Sequence, residues 1–260
     1  MRRERLAAAL PWLRAAWETG APLAALPEEA RPRTLAEGYR LQAMMAGVLG
    51  FEVAGWRIAG VGKTARACVG ARSPFAGRIF APRILRSGAV LPGRAMRVRG
   101  VAPVYAVELS RDLPPRTEPY TSWEVARAVG CIRPAIEVVE PRWTEWRNVG
   151  LPGIVADFAA TGFLVLGVSA RRPADTVQGD AVAELRVNGG TAARSDGTVA
   201  SEGPLAALVW LANQLRRSNG LAAGQVVSTG SRTGLHLAAP GDRITVRLQG
   251  AGVASLAFTG

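Results

Sequence analysis

The carboxylate with the most informative setting in this 260-residue chain is Glu137, which stands inside the apolar run Pro134-Ala-Ile-Glu-Val-Val-Glu140. An unpaired carboxylate is costly to bury. A glutamate inside such a run therefore needs a cation or hydrogen-bond donors, and that setting suits acid–base chemistry. Strand alternation sends Ile136 and Val138 to one face and Glu137 to the other. Few other residues could carry chemistry. Lys63 is the single lysine, in a glycine-bounded loop, and His236 is the single histidine, read as a structural residue between strands. Cys68 and Cys131 lack metal-ligand spacing, which fits a reduced cytoplasmic protein.

The elements that must position Glu137 follow from local pattern. Val101-Ala-Pro-Val-Tyr-Ala-Val-Glu-Leu109 and the run around Glu137 read as strands, because both are short, β-branched and bounded by proline and polar residues. Between them the chain reads as a helix over Tyr120–Val129, capped by Thr121 or Ser122 with Glu124 in its first turn. Leu6, Leu10, Leu13 and Trp17 predict an amphipathic helix over residues 4–17. Thr34-Leu-Ala-Glu37 has capping-box spacing, and Gly50 ends the helix that follows. A strand over Gly55–Gly60, a hairpin turn at Asn188-Gly189-Gly190 and a proline-initiated helix from Gly203 to Leu215 come next in clarity. Ala239–Val246 and Gly252–Phe258 close as a terminal hairpin. Strands dominate the second half, so the class is α+β. No linker or repeat divides the chain, which reads as one domain over 1–260: a mainly helical part to residue 50, then a β-rich core over 51–260 with helices near 121–129 and 204–217.

Composition narrows the function. At 48% apolar residues there is ample material for a core, and no run of 18 apolar residues calls for a membrane-spanning helix. The basic, then apolar start is too short and is followed too soon by Arg14 and Glu18 for a signal peptide. The net charge of +12 comes from arginines spread along the chain, in pairs such as Arg171-Arg172 and Arg216-Arg217. No aromatic-interleaved basic run stands out, so the expected partner is a small anionic acid rather than nucleic acid or a membrane.

Several segments in order also carry a family resemblance: Gly100-Val101 with Leu109-Ser-Arg-Asp-Leu-Pro114, Pro134-Ala-Ile-Glu-Val138, and Val155-Ala-Asp157 with Gly162-Phe-Leu-Val-Leu-Gly167. Together they resemble the 2-keto-4-pentenoate hydratase and 4-oxalocrotonate decarboxylase branch of the fumarylacetoacetate hydrolase superfamily, from about Thr34 to Phe258. The resemblance implies a compact mixed β-roll with helices packed outside it. It also implies three metal-binding glutamates, of which only Glu137 is present; Ala102 and Val104 occupy the other two positions. Arg57, in Gly55-Trp-Arg-Ile-Ala-Gly60, replaces a substrate-facing lysine of the family; its planar fork can grip a carboxylate but does not act as a base near neutral pH. Arg72 stands in Val69–Arg78, which resembles the family's lid, and it replaces an acidic residue there. Thr229 and Gly230 end Gly224-Gln-Val-Val-Ser-Thr-Gly230, which resembles a pocket-lining Thr-Gly step. Phe158 replaces a polar amide, and the neighbouring Asp157 caps a helix or orients another group.

The expectation is a lyase for a small 2-oxo acid or related enolisable acid, acting without the family's divalent metal or any other cofactor. Glu137 and Lys63 are its candidate catalytic residues; Arg57, Arg72, Thr229 and Gly230 are its substrate contacts. The alternative is a non-catalytic binding or assembly module that keeps the hydratase fold. A homo-oligomer is expected in either case.

Overall fold

The computed structural model describes residues 2–168, 182–195 and 203–260, so the Arg171-Arg172 pair lies outside the described residues. The chain starts with α1 (Arg2–Ala7) and α2 (Leu10–Thr19), where the apolar spacing predicts one helix. The break has a local cause. Pro11 lies in the first turn of α2, where its missing N–H is tolerated, whereas a continuous helix would need that donor. Thr34 caps α3 (Leu35–Leu49) by accepting from the Glu37 amide, and Gly50, at φ 67°, ends it in the left-handed conformation glycine favours.

Among the described residues thirteen strands follow: β1 (Val53–Ala59), β2 (Phe75–Phe80), β3 (Ile84–Arg86), β4 (Ala89–Leu91), β5 (Gly100–Leu109), β6 (Val129–Val139), β7 (Thr161–Leu166), β8 (Ala183–Val187), β9 (Gly190–Ser195), β10 (Val226–Ser228), β11 (His236–Leu237), β12 (Arg243–Leu248) and β13 (Gly252–Phe258). Among them lie the helices α4 (Lys63–Ala67), α5 (Ser122–Ala128), α6 (Gly150–Ala156) and α7 (Pro204–Leu215). Among the described residues the strands form an eight-stranded mixed sheet in the order β2-β1-β10-β5-β6-β7-β3, with β11 also on β5, and a five-stranded sheet β4-β13-β12-β8-β9. The lid-like segment is shorter than expected: Phe75–Arg78 is already strand β2, paired with β1, which leaves only residues 69–74 as a loop. Asn188 and Gly189, with φ of 51° and 87°, make the tight turn between β8 and β9.

The two faces of the large sheet divide the labour. Val101, Ile136, Val138 and Val165 pack on Leu185, Ile244, Val246 and Leu256 of the second sheet. Tyr105, Val107 and Leu109 join Trp56, Ile58 and the α7 residues Leu208 and Leu211 in an adjoining cluster. Each such buried aliphatic side chain contributes about 1.5–3 kcal/mol. The alternate residues, Ala102, Val104, Ala106, Ala135 and Glu137, therefore look the other way. That second face holds the candidate site.

Candidate functional site

Register brings the candidate residues together. β5 and β6 pair antiparallel with Ala102 opposite Glu137, and Ser228 of β10 is opposite Ala106. Arg57 of β1 sits beside Ser228 in the parallel β1–β10 pairing. Arg57 Nε lies 2.9 Å from Glu137 Oε2, and the two side chains are 12% and 5% exposed. Ser228 Oγ donates to Glu137 Oε1 at 2.6 Å. Both carboxylate oxygens are thus engaged, one by a guanidinium and one by a hydroxyl. This meets the requirement that a buried charge be paired and hydrogen-bonded.

The other side of Arg57 is fixed by a strained turn. Its Nη1 donates to the carbonyl of Ala159. Phe158, Ala159 and Ala160 have φ of 51°, 54° and 60°, three successive non-glycine residues in left-handed space. Each such residue costs about 1–2 kcal/mol, and strain of this kind persists only where its surroundings enforce it. The enforcement is visible. Thr161 Oγ1 donates to the Phe158 carbonyl at 2.6 Å, and Phe158 is seated edge-on against Trp17 and Phe80, with ring centroids 5.3 and 5.0 Å away. Gly77 of β2, the register partner of Arg57, lets the turn approach; a Cβ there would stand 1.9 Å from the Phe158 oxygen. Among the described residues no acceptor takes a hydrogen bond from Arg57 Nη2, which leaves one edge of the fork available to a ligand.

Asp157 precedes that turn and orients rather than caps. Its Oδ1 lies 2.7 Å from Arg142 Nε, and Oδ2 accepts from the Arg142 amide at 2.9 Å. Burial pushes the Asp157 carboxyl up to about 6, against the pull of the Arg142 guanidinium. Burial likewise lowers Arg142, whose guanidinium lies 4.0 Å from the Trp17 ring centroid.

The remaining sequence-based candidates are placed differently. Thr229 Oγ1 donates to the Tyr105 carbonyl at 3.0 Å, so its hydroxyl is spent on the backbone of β5. Gly230, at φ 92°, gives close approach to this chain's own Val61, whose Cγ2 lies 2.6 Å from where a Cβ would stand. Lys63 opens α4 and is exposed, as is Arg72 in the 69–74 loop; no ion pair or hydrogen bond joins either to Glu137. Outside those candidates, Tyr39 and Gln42 make structural hydrogen bonds: Tyr39 Oη accepts from the Ala76 amide, and Gln42 Nε2 donates to the carbonyls of Ala76 and Val155. Ser228 was missed from the sequence, although alternation from Val226 puts it on the Glu137 face.

A hard divalent ion takes several oxygen ligands. Here Glu137 has both oxygens engaged, Glu108, farther along the same face of β5, is paired with Arg133 at 3.0 Å, and the neighbours of Glu137, Ala102 and Val104, both fully buried, carry no metal-ligating atom. Among the described residues no group of three His, Cys, Asp or Glu side chains stands together. These residues do not fit a divalent metal.

The fold is that of fumarylacetoacetate hydrolase-like proteins. The 4-oxalocrotonate decarboxylase from Pseudomonas putida G7, solved in complex with magnesium and adipate, superposes with a TM-score of 0.87 at 23% identity, over 99% of this chain and 98% of that one. Residues 102–258 match the C-terminal domain of fumarylacetoacetate (FAA) hydrolase, and the chain belongs to that family. Within it, the relatives are lyases of the hydratase and decarboxylase branch. The 2-keto-4-pentenoate hydratase 2 of Dechloromonas aromatica (strain RCB) is 29% identical over 256 residues, 96% of each chain. The 2-keto-4-pentenoate hydratase 1 of the same organism is 30% identical over 226 residues, 86% of this chain and 80% of that one.

Proposed function

We propose that this protein is a hydratase-branch lyase for a small anionic 2-oxo acid or related enolisable acid, working by acid–base chemistry without a divalent metal at Glu137. The observation that carries this reading is the buried Glu137, held by Arg57 at 2.9 Å and Ser228 at 2.6 Å on the sheet face. Arg57 Nη2 takes the substrate carboxylate in a charge-assisted hydrogen bond. Glu137 accepts a proton from the carbon next to the 2-oxo group, and the C–H electron pair moves into the enolate. The guanidinium offsets the charge that develops on oxygen. Delivery of that proton from Glu137 to the far carbon of the extended enolate, whose electron pair forms the new C–H bond, completes the tautomerisation on which addition or loss of water, or loss of carbon dioxide, depends. Lys63 and Arg72, exposed on the segment after β1, attract the incoming anion.

The test is turnover of 2-keto-4-pentenoate, followed by loss of the dienol absorbance, with wild type and Glu137→Gln. The amide keeps the shape and cannot take the proton, so activity should fall at least about 100-fold. Full activity in the variant removes Glu137 from the reaction.

One observation favours a second reading, a binding module that does no chemistry. Ala102, Val104, Ala106, Ala135 and Leu164 fill the face around Glu137 with aliphatic side chains, each 0–1% exposed. In that case 2-oxo acids bind and protect the fold without being turned over.

A further inference from the structure

A cleft of about 420 Å³ opens at the outer end of β2, well inside the size range of small-ligand sites. Its lining includes Trp17, Phe51, Phe80, Phe163, Arg83 and Glu18, and neither Arg57 nor Glu137 contributes to it. The walls are aromatic and one of them is open to solvent: Phe51 is 48% exposed. Arg83 is the polar feature. Its guanidinium carbon lies 5.0 Å from the Trp17 ring centroid and 4.5 Å from that of Phe163. Among the described residues no carbonyl or carboxylate accepts a hydrogen bond from it.

Glu140 attracts that guanidinium, but the nearby acids are hydrogen-bonded elsewhere among the described residues. Glu18, the acid of the cleft, is paired with Arg14 at 2.7 Å. The Glu140 carboxylate accepts from the amides of Arg97, Val98 and Arg99. Arg142, the other cation near Arg83, is committed to Asp157. Burial, and then the Arg142 charge, push Arg83 down to about 10, which still leaves it cationic at neutral pH. A ring-stacked, planar fork with free donors in an aromatic cleft matches a flat apolar body that ends in a carboxylate.

We infer that this cleft is a binding site for a small aromatic carboxylate, with Arg83 as the anion contact and the rings of Trp17, Phe51 and Phe163 as the walls. The site stands apart from the Arg57–Glu137 pair and does not depend on the catalytic reading of it.

The probe is trans-cinnamate, titrated into the whole protein by calorimetry, with trans-cinnamamide as its neutral isostere. The expected result is saturable cinnamate binding that weakens at least about tenfold for the amide, and equally for cinnamate with Arg83→Gln, as loss of a charge-assisted pair requires. Glu137→Gln should bind cinnamate as wild type does, which separates this cleft from the pair on the sheet. The wild-type comparison of acid and amide needs no variant, so a poorly folded Arg83→Gln does not spoil the test. Equal binding of acid and amide, no cinnamate binding, or loss of binding in Glu137→Gln would each overturn the assignment.

Discussion

Replacing Arg57 by methionine strands Glu137 as a buried carboxylate, and the structure sets the size of the effect. The pair is 12% and 5% exposed, so solvent offers little compensation. Breaking such a pair from one side costs about 3–5 kcal/mol. Ser228 still donates to Oε1, which places the expected loss at the lower end, about 3 kcal/mol. For a chain of this size that is a fall in Tm of about 6–12 °C. Glu137→Leu alone should cost less, about 2 kcal/mol, because the guanidinium keeps the Ala159 carbonyl as an acceptor. The double variant Arg57→Met/Glu137→Leu leaves no stranded charge and should lie within about 1 kcal/mol of wild type. Urea unfolding followed by far-UV circular dichroism reads all four proteins. The coupling energy should therefore be about 4–6 kcal/mol; single losses that add to the double within about 0.5 kcal/mol would refute the buried pair.

Three further substitutions probe its surroundings. Gly77→Ala forces a Cβ to 1.9 Å from the Phe158 oxygen and should destabilise by about 3 kcal/mol, measured by the same unfolding curves. Ser228→Ala removes a hydrogen bond to a charged acceptor, with an expected loss of about 2 kcal/mol. Asp157 titrates near 6 in the folded chain against an ordinary 3.8, so folding favours its protonated form. The stability that Asp157 contributes is then fully present below about pH 4 and lost as pH rises through about 6. Unfolding of wild type relative to Asp157→Asn, measured from pH 4 to 8, should show that decline; a difference that grows with pH contradicts it.

Much of this was legible in the sequence because it rests on local pattern. Alternation put Glu137 opposite Ile136 and Val138, and the caps at Thr34, Thr121 and Gly50 stand where their residue types indicate. Glu137 was expected to need a cation or donors, and the strand order supplies Arg57. The Thr-Gly step could not tell which hydroxyl meets Glu137, because a hydroxyl's partner is chosen by register: Thr229 faces the β5 carbonyl and Ser228 faces the carboxylate. The left-handed turn at Phe158–Ala160 gave no local signal, since none of its residues favours positive φ; long-range packing on Trp17 and Phe80 enforces it. Pro11 was visible, yet helical spacing across it masked the break between α1 and α2.

The most direct measurement is the rate of 2-keto-4-pentenoate hydration in excess EDTA and again with added Mg²⁺ or Mn²⁺. Metal-independent acid–base chemistry at Arg57 and Glu137 gives the same rate in both, and Glu137→Gln abolishes it. A rate that vanishes in EDTA and returns with the metal would contradict the central claim.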